Sequence, residues 1–92
     1  YTLSAKQGDM EAQRDLGYCY FYGEGVKQDP LKAVYWYKKA AAQNDQKANY
    51  NLGLCYEFGD GVKKSIRWAK HYYVKASQHG NRKATARLKK LG

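Results

Sequence analysis

The sequence is poor in several things at once. No apolar run comes near the roughly 18 residues needed to cross a bilayer, which excludes a membrane-spanning helix. The only two cysteines, Cys19 and Cys55, lie 36 residues apart, a spacing that suits neither a metal-ligand pair nor a C-x-x-C redox motif. Proline occurs once, at Pro30. Acidic residues are missing altogether from residues 61–92, which carry ten Lys/Arg, whereas residues 1–60 carry seven Lys/Arg and all eight Asp/Glu. The net charge of +9 is therefore concentrated in the C-terminal third. Such polarity suits an anionic partner or an acidic neighbouring segment.

Sites for chemistry are equally scarce. The Gly-x-Gly stretches at Gly23-Gly25 and Gly59-Gly61 lack the Gly-Lys-Ser/Thr ending of a Walker loop and the third glycine of a dinucleotide loop, so they read as turns. His71 and His79 are eight residues apart with no carboxylate or Cys spaced to join them, and no metal site is expected. Ser4, Ser65 and Ser77 sit in no nucleophile-elbow sequence, and no paired-carboxylate pattern occurs. No catalytic residue and no cofactor are expected. A hydrolase is a distant third reading.

What the chain does have is ten tyrosines and a phrase written twice. Residues 16–26, LGYCYFYGEGV, return as LGLCYEFGDGV at residues 52–62. Sliding the chain by 36 residues matches Ala12 to Ala48, Leu16-Gly17 to Leu52-Gly53 and Cys19-Tyr20 to Cys55-Tyr56. It also matches Ala33, Tyr37, Lys39 and Ala40 to Ala69, Tyr73, Lys75 and Ala76. A third, partial copy begins at Ala84 and Leu88. A fixed period of this length marks a solenoid, in which each unit buries its apolar face against its neighbours.

Each unit reads as two helices. Ala12, Leu16, Cys19 and Tyr20 form one helical stripe, and Ala33, Trp36, Tyr37, Ala40 and Ala41 form another. Asp9, Asp45 and Asn81 stand where they can cap the first helix, while Asp29 (before Pro30) and Ser65 can cap the second. Gly17 and Gly53 each cost about 1 kcal/mol relative to Ala inside a helix, which implies a close helix–helix approach. The Ala positions of the second helix are the expected partners. The expected layout is the end of a preceding second helix at residues 1–8, repeats at 9–44 and 45–80, and a first helix of a partial or capping repeat at 81–92. The chain opens on Tyr1 rather than Met, so it reads as a piece of a longer array, and the compartment is not legible.

The pattern A-x3-LG-x2-Y-x2-G-x-GV-x6-A-x3-Y-x-KA resembles the Sel-one-like repeat (SLR), a relative of the tetratricopeptide repeat, over practically the whole chain. The Gly-x-Gly-Val loop and the longer period separate it from the 34-residue tetratricopeptide repeat. Departures are Ile66 in place of a proline, Asn44 in place of a common glycine, and Lys89 in place of the glycine of the last partial unit. The resemblance implies an all-α fold, a right-handed α/α superhelix with first helices lining a concave face. It also implies an adaptor or scaffold role in protein complexes. A secreted branch of the family pairs two cysteines within each repeat; this chain has one per repeat, so that framework does not carry over.

On that geometry Tyr18, Phe21, Tyr50 and Leu54 lie off the buried stripe on the concave side, as candidate anchors for a protein or peptide partner. Phe58 and Tyr22 are placed at the loop, where they either seal it or add to the surface. Tetratricopeptide cochaperones hold a partner's terminal carboxylate with Lys, Asn and Arg on successive first helices. The matching positions are Arg14, Tyr18, Asn51, Lys83 and Arg87, and four of the five carry a suitable donor. An acidic peptide, or one with a free C-terminal carboxylate, is therefore the expected partner. Nucleic acid or another anionic polymer is the alternative. It would use the basic C-terminal third, where Lys64, Arg67, Lys70, His71 and Lys75 line an outer stripe otherwise read as solvated surface.

Overall fold

The computed structural model describes residues 8–91, and these form five helices in antiparallel pairs. The helix expected at residues 1–8 falls almost wholly outside the described residues. Helix α1 spans Met10–Tyr22, α2 Pro30–Ala42, α3 Gln46–Phe58, α4 Ile66–Gln78 and α5 Arg82–Leu91. The pairs α1–α2 and α3–α4 pack most extensively, and α2–α3 and α4–α5 join them into a stack.

The helix ends are fixed by the residues that recur. Asp9 accepts from the Glu11 and Ala12 amides, Asp45 from the Lys47 amide at 3.0 Å, and Asn81 from the Ala84 amide at 2.9 Å. Asp29 and Ser65 cap α2 and α4 in the same manner, through the Lys32 and Trp68 amides. Gly23 and Gly59 both adopt φ of 74°, a left-handed conformation that closes α1 and α3 without a Cβ clash. The loops that follow close identically, Asp29 N–H donating to the Tyr20 carbonyl and Ser65 N–H to the Tyr56 carbonyl. Equal spacing in sequence has become equal backbone geometry.

The second-helix stripe is buried throughout, and the first-helix stripe is buried at Ala12 and Leu16. Ala33, Trp36, Tyr37, Ala40 and Ala41 of α2 all lie in the core, as do Ala48, Leu52 and Cys55 of α3 and Ala69, Tyr73 and Ala76 of α4. Cys19 is half-buried, and both cysteines are free thiols. Of the tyrosines assigned to the stripes, Tyr37 and Tyr73 are enclosed while Tyr20 and Tyr56 are half-buried.

The helical glycines behave differently from the sequence expectation in one respect. A Cβ on Gly17 would lie 2.7–2.8 Å from the Tyr37 ring and 3.2 Å from the Ala33 carbonyl, and Gly53 faces the Tyr73 ring in the same way. The ring of a tyrosine, rather than a row of alanines, is the main occupant of the space each glycine leaves. Alanine at either site is therefore expected to destabilise the protein by about 1–3 kcal/mol through overpacking. The effect opposes the gain of about 1 kcal/mol that alanine brings to an open helix. Urea unfolding of Gly17→Ala and Gly53→Ala reads both the sign and the match between repeats.

Candidate partner-binding groove

The first helices of successive units run side by side, so residues one helical turn apart gather into a common trough. Helix α1 contributes Arg14, Asp15 and Tyr18; α3 contributes Gln46, Lys47, Tyr50 and Asn51. The turn into α5 and its first residues, Gly80 to Lys83, form the far wall of this open groove of about 460 Å³. Tyr18 is 44% exposed and Tyr50 is half-buried, its ring centroid 5.9 Å from that of Tyr73. The charge is graded along the trough. Asp15 is on α1 beside Arg14, while Lys47 is on α3 and Arg82 and Lys83 are on α5. Among the described residues no cluster of three His, Cys, Asp or Glu side chains assembles that could hold a metal.

The repeating geometry now has a counterpart among known proteins. The family model of the Sel1 repeat matches residues 11–45 and 46–81. The chain belongs to the Sel1 repeat family. The crystal structure of a Sel1 repeat protein from Oxalobacter formigenes matches with a TM-score of 0.94 at 40% identity, over 97% of this chain and 67% of that one. The protective antigen c5321, present in uropathogenic Escherichia coli strains and displaying an SLR fold, matches with a TM-score of 0.91 at 35% identity. That match covers 92% of this chain but 18% of the antigen. Helicobacter pylori cysteine rich protein B matches with a TM-score of 0.82 at 35% identity, over 87% of this chain and 60% of that one. No curated protein matches the chain. Sel1 repeat proteins are in general non-catalytic helical scaffolds for protein–protein interaction.

Within this Sel1 repeat chain, the eight residues expected at the partner face divide into three groups. Arg14, Tyr18, Tyr50, Asn51 and Lys83 line the groove. Phe21 and Leu54 lie away from it, around a small void shared with Tyr22, Tyr37 and Asn51, and both pack against the core. Arg87 is turned toward Glu57. Arg14, though at the groove edge, donates both to Asp45 Oδ1 at 3.2 Å and to Oδ2 at 3.0 Å. Phe58 and Tyr22 do not seal the loop; both are more than half exposed.

The two arginines thus brace α1 against α3 and α3 against α5. Asp45 is buried, and Arg14 of α1 neutralises it while its Oδ1 also caps α3 through the Lys47 amide. Glu57 is also buried, accepting from the Tyr73 hydroxyl at 2.7 Å, from Arg87 Nε at 3.1 Å and from Arg87 Nη2. Burial raises the pKa of Glu57, but the hydrogen bonds from Arg87 and Tyr73 outweigh it, and the net shift is downward. The Arg87 guanidinium also lies 5.5 Å over the Phe58 ring. None of these pairs was legible in the sequence, because the position of Glu57 holds Phe21 one repeat earlier and that of Arg87 holds Asn51.

Gln46, Lys47 and Arg82 were missed as groove residues. Their signal was helical spacing: Gln46 precedes Tyr50 by four residues, and Lys47 precedes Asn51 by four.

Proposed function

We propose that this chain is a protein-interaction module that holds an acidic peptide segment in the groove across its first helices. The reading treats residues 9–44 and 45–80 as its two full repeats and residues 81–92 as the first helix of a third. The observation that carries it is the groove itself: aromatic faces at Tyr18 and Tyr50, an amide at Asn51, and free cations at Lys47, Arg82 and Lys83 on one side.

The graded charge sets an orientation. An apolar side chain of the peptide lies on Tyr18 and Tyr50, which bring large contact area at low entropic cost. Its carboxylates, or its terminal carboxylate, point toward the α5 end. Asn51 donates to the peptide backbone. Arg14 and Arg87 act indirectly, holding the repeats in register through Asp45 and Glu57. No catalytic step is assigned to any residue.

The test uses a fluorescein-labelled acidic hexapeptide with one central leucine, prepared with a free or an amidated C-terminus. The expected results are binding that weakens with salt, and a loss of about tenfold in Tyr50→Ala, as for a central interface anchor. Charge reversal at Lys47, Arg82 and Lys83 together is expected to abolish binding. A weaker grip on the amidated form assigns the carboxylate to the terminus. Binding unchanged by all of these substitutions contradicts the proposal.

A further inference from the structure

A second surface, sharing no residue with the groove, lies around the start of α4. Where the end of α3 and the α3–α4 loop meet α4, an open cavity of about 560 Å³ is lined by Tyr56, Val62, Lys63, Lys64, Ser65 and Trp68. Two stacked rings and a third, tilted one meet there. Tyr56 and Tyr72 stack with centroids 5.6 Å apart and planes 11° apart, and Trp68 is tilted by 32° to each at 6.2 and 6.3 Å. His71 meets both Trp68 and Tyr72 edge-on. Trp68 is 49% exposed. Lys38 reaches over from α2 to within 6.0 Å of the Tyr56 ring.

One ring of this platform, Trp68, breaks the repeat, whereas Tyr56 and Tyr72 correspond to Tyr20 and Trp36 one period earlier. One period earlier, the place of Trp68 is taken by Lys32 and that of His71 by Tyr35. The platform also sits where the acid-free stretch of residues 61–92 begins. Its rings all belong to the second matched repeat, and Lys38 reaches it from the first.

We propose that this platform is a second binding surface, for single-stranded nucleic acid, with Trp68 and Tyr56 stacking on bases while Lys63, Lys64 and Lys38 face the phosphates. The chemistry favours this occupant over an acidic peptide. Flat rings are sequence-tolerant partners for bases, every nucleotide supplies both a π face and a negative charge, and lysines serve as point charges. A duplex hides its bases and offers only the electrostatic part.

The experiment titrates the 92-residue chain with a fluorescein-labelled oligothymidylate of about a dozen nucleotides, long enough for a groove site. Trp36 is buried, so quenching of tryptophan emission reports Trp68 directly in the unaltered protein. Trp68→Ala is expected to weaken binding about tenfold, within the range for loss of one stacked base. Trp68→Lys, which installs the residue found one repeat earlier, is the sharper variant. It adds positive charge, yet it is expected to weaken binding as well. Lys63→Glu with Lys64→Glu is expected to flatten the salt dependence by roughly 0.7 per lost phosphate contact. Tyr18→Ala, in the peptide groove, is expected to leave oligonucleotide binding unchanged, so failure of one surface is separable from failure of the other. The proposal is overturned by absent binding at low salt, by unquenched tryptophan, or by Trp68→Lys binding as tightly as the unaltered chain. Equal affinity for a duplex or for heparin that Trp68→Ala does not change also overturns it.

Discussion

Replacing Tyr73 by alanine is expected to lower stability by about 3–5 kcal/mol, the range for removing a large ring from a closed core. Tyr73 is 0% exposed and fills the space left by Gly53 among Ala69, Ala76 and Ala84. Truncation empties that space and also removes a hydrogen bond to a buried carboxylate. Phenylalanine separates the two effects. Tyr73→Phe keeps the ring and loses only the 2.7 Å bond to Glu57, with an expected cost of about 1.5–3 kcal/mol for a bond to a charged group. The equivalent change one repeat earlier, Tyr37→Phe, is expected to cost less, because Phe21 stands where Glu57 would be. Chemical denaturation of the three variants checks the order Tyr73→Ala, Tyr73→Phe, Tyr37→Phe.

Alkaline pH is expected to unfold the protein cooperatively. Burial pushes the Cys55 thiol up to about 12, with the Asp60 charge adding to it. Burial also pushes Tyr37 and Tyr73 well above the ordinary phenol value, aided for Tyr37 by the neighbouring Cys55 and for Tyr73 by the hydrogen bond to Glu57. Each group holds its proton more tightly folded than unfolded. Their contribution is therefore fully present below the unfolded values, near 9 for cysteine and 10 for tyrosine, and is lost as pH rises through the folded ones. The expected observation is tyrosinate absorbance in two steps. Tyr37 and Tyr73 ionise only in the later step, together with the loss of helical circular dichroism. A single smooth titration with helicity intact would contradict the packing described for these rings.

The period, the caps and the buried stripes were legible because each depends on local backbone geometry that a short stretch of sequence determines. Asp9, Asp45 and Asn81 cap whatever follows them, and Ala33 to Ala41 face one way on any helix. The glycine partners were harder. A missing side chain signals that something approaches, but the identity of the intruder depends on how the paired helices rotate against each other, and Tyr37 and Tyr73 supply the ring. The braces were invisible for a further reason. Arg14–Asp45 and Arg87–Glu57 span 31 and 30 residues and join α1 to the start of α3 and α3 to α5, so their geometry is set by how the helices stack. The platform at Trp68 escaped for the same cause, since Tyr56, Tyr72 and Lys38 reach it from three helices. Of the eight residues expected at the partner face, Arg14, Tyr18, Tyr50, Asn51 and Lys83 line the groove. Its basic end emerged only when the starts of α3 and α5 came together.

The scaffold reading is tested most directly by following the backbone amides of the isotope-labelled chain in solution as the acidic hexapeptide is added. The account predicts that the largest resonance shifts fall on Tyr18, Lys47, Tyr50, Asn51 and Lys83, with α2 nearly silent. Shifts confined to α2 and α4, or none at saturating peptide, would contradict it.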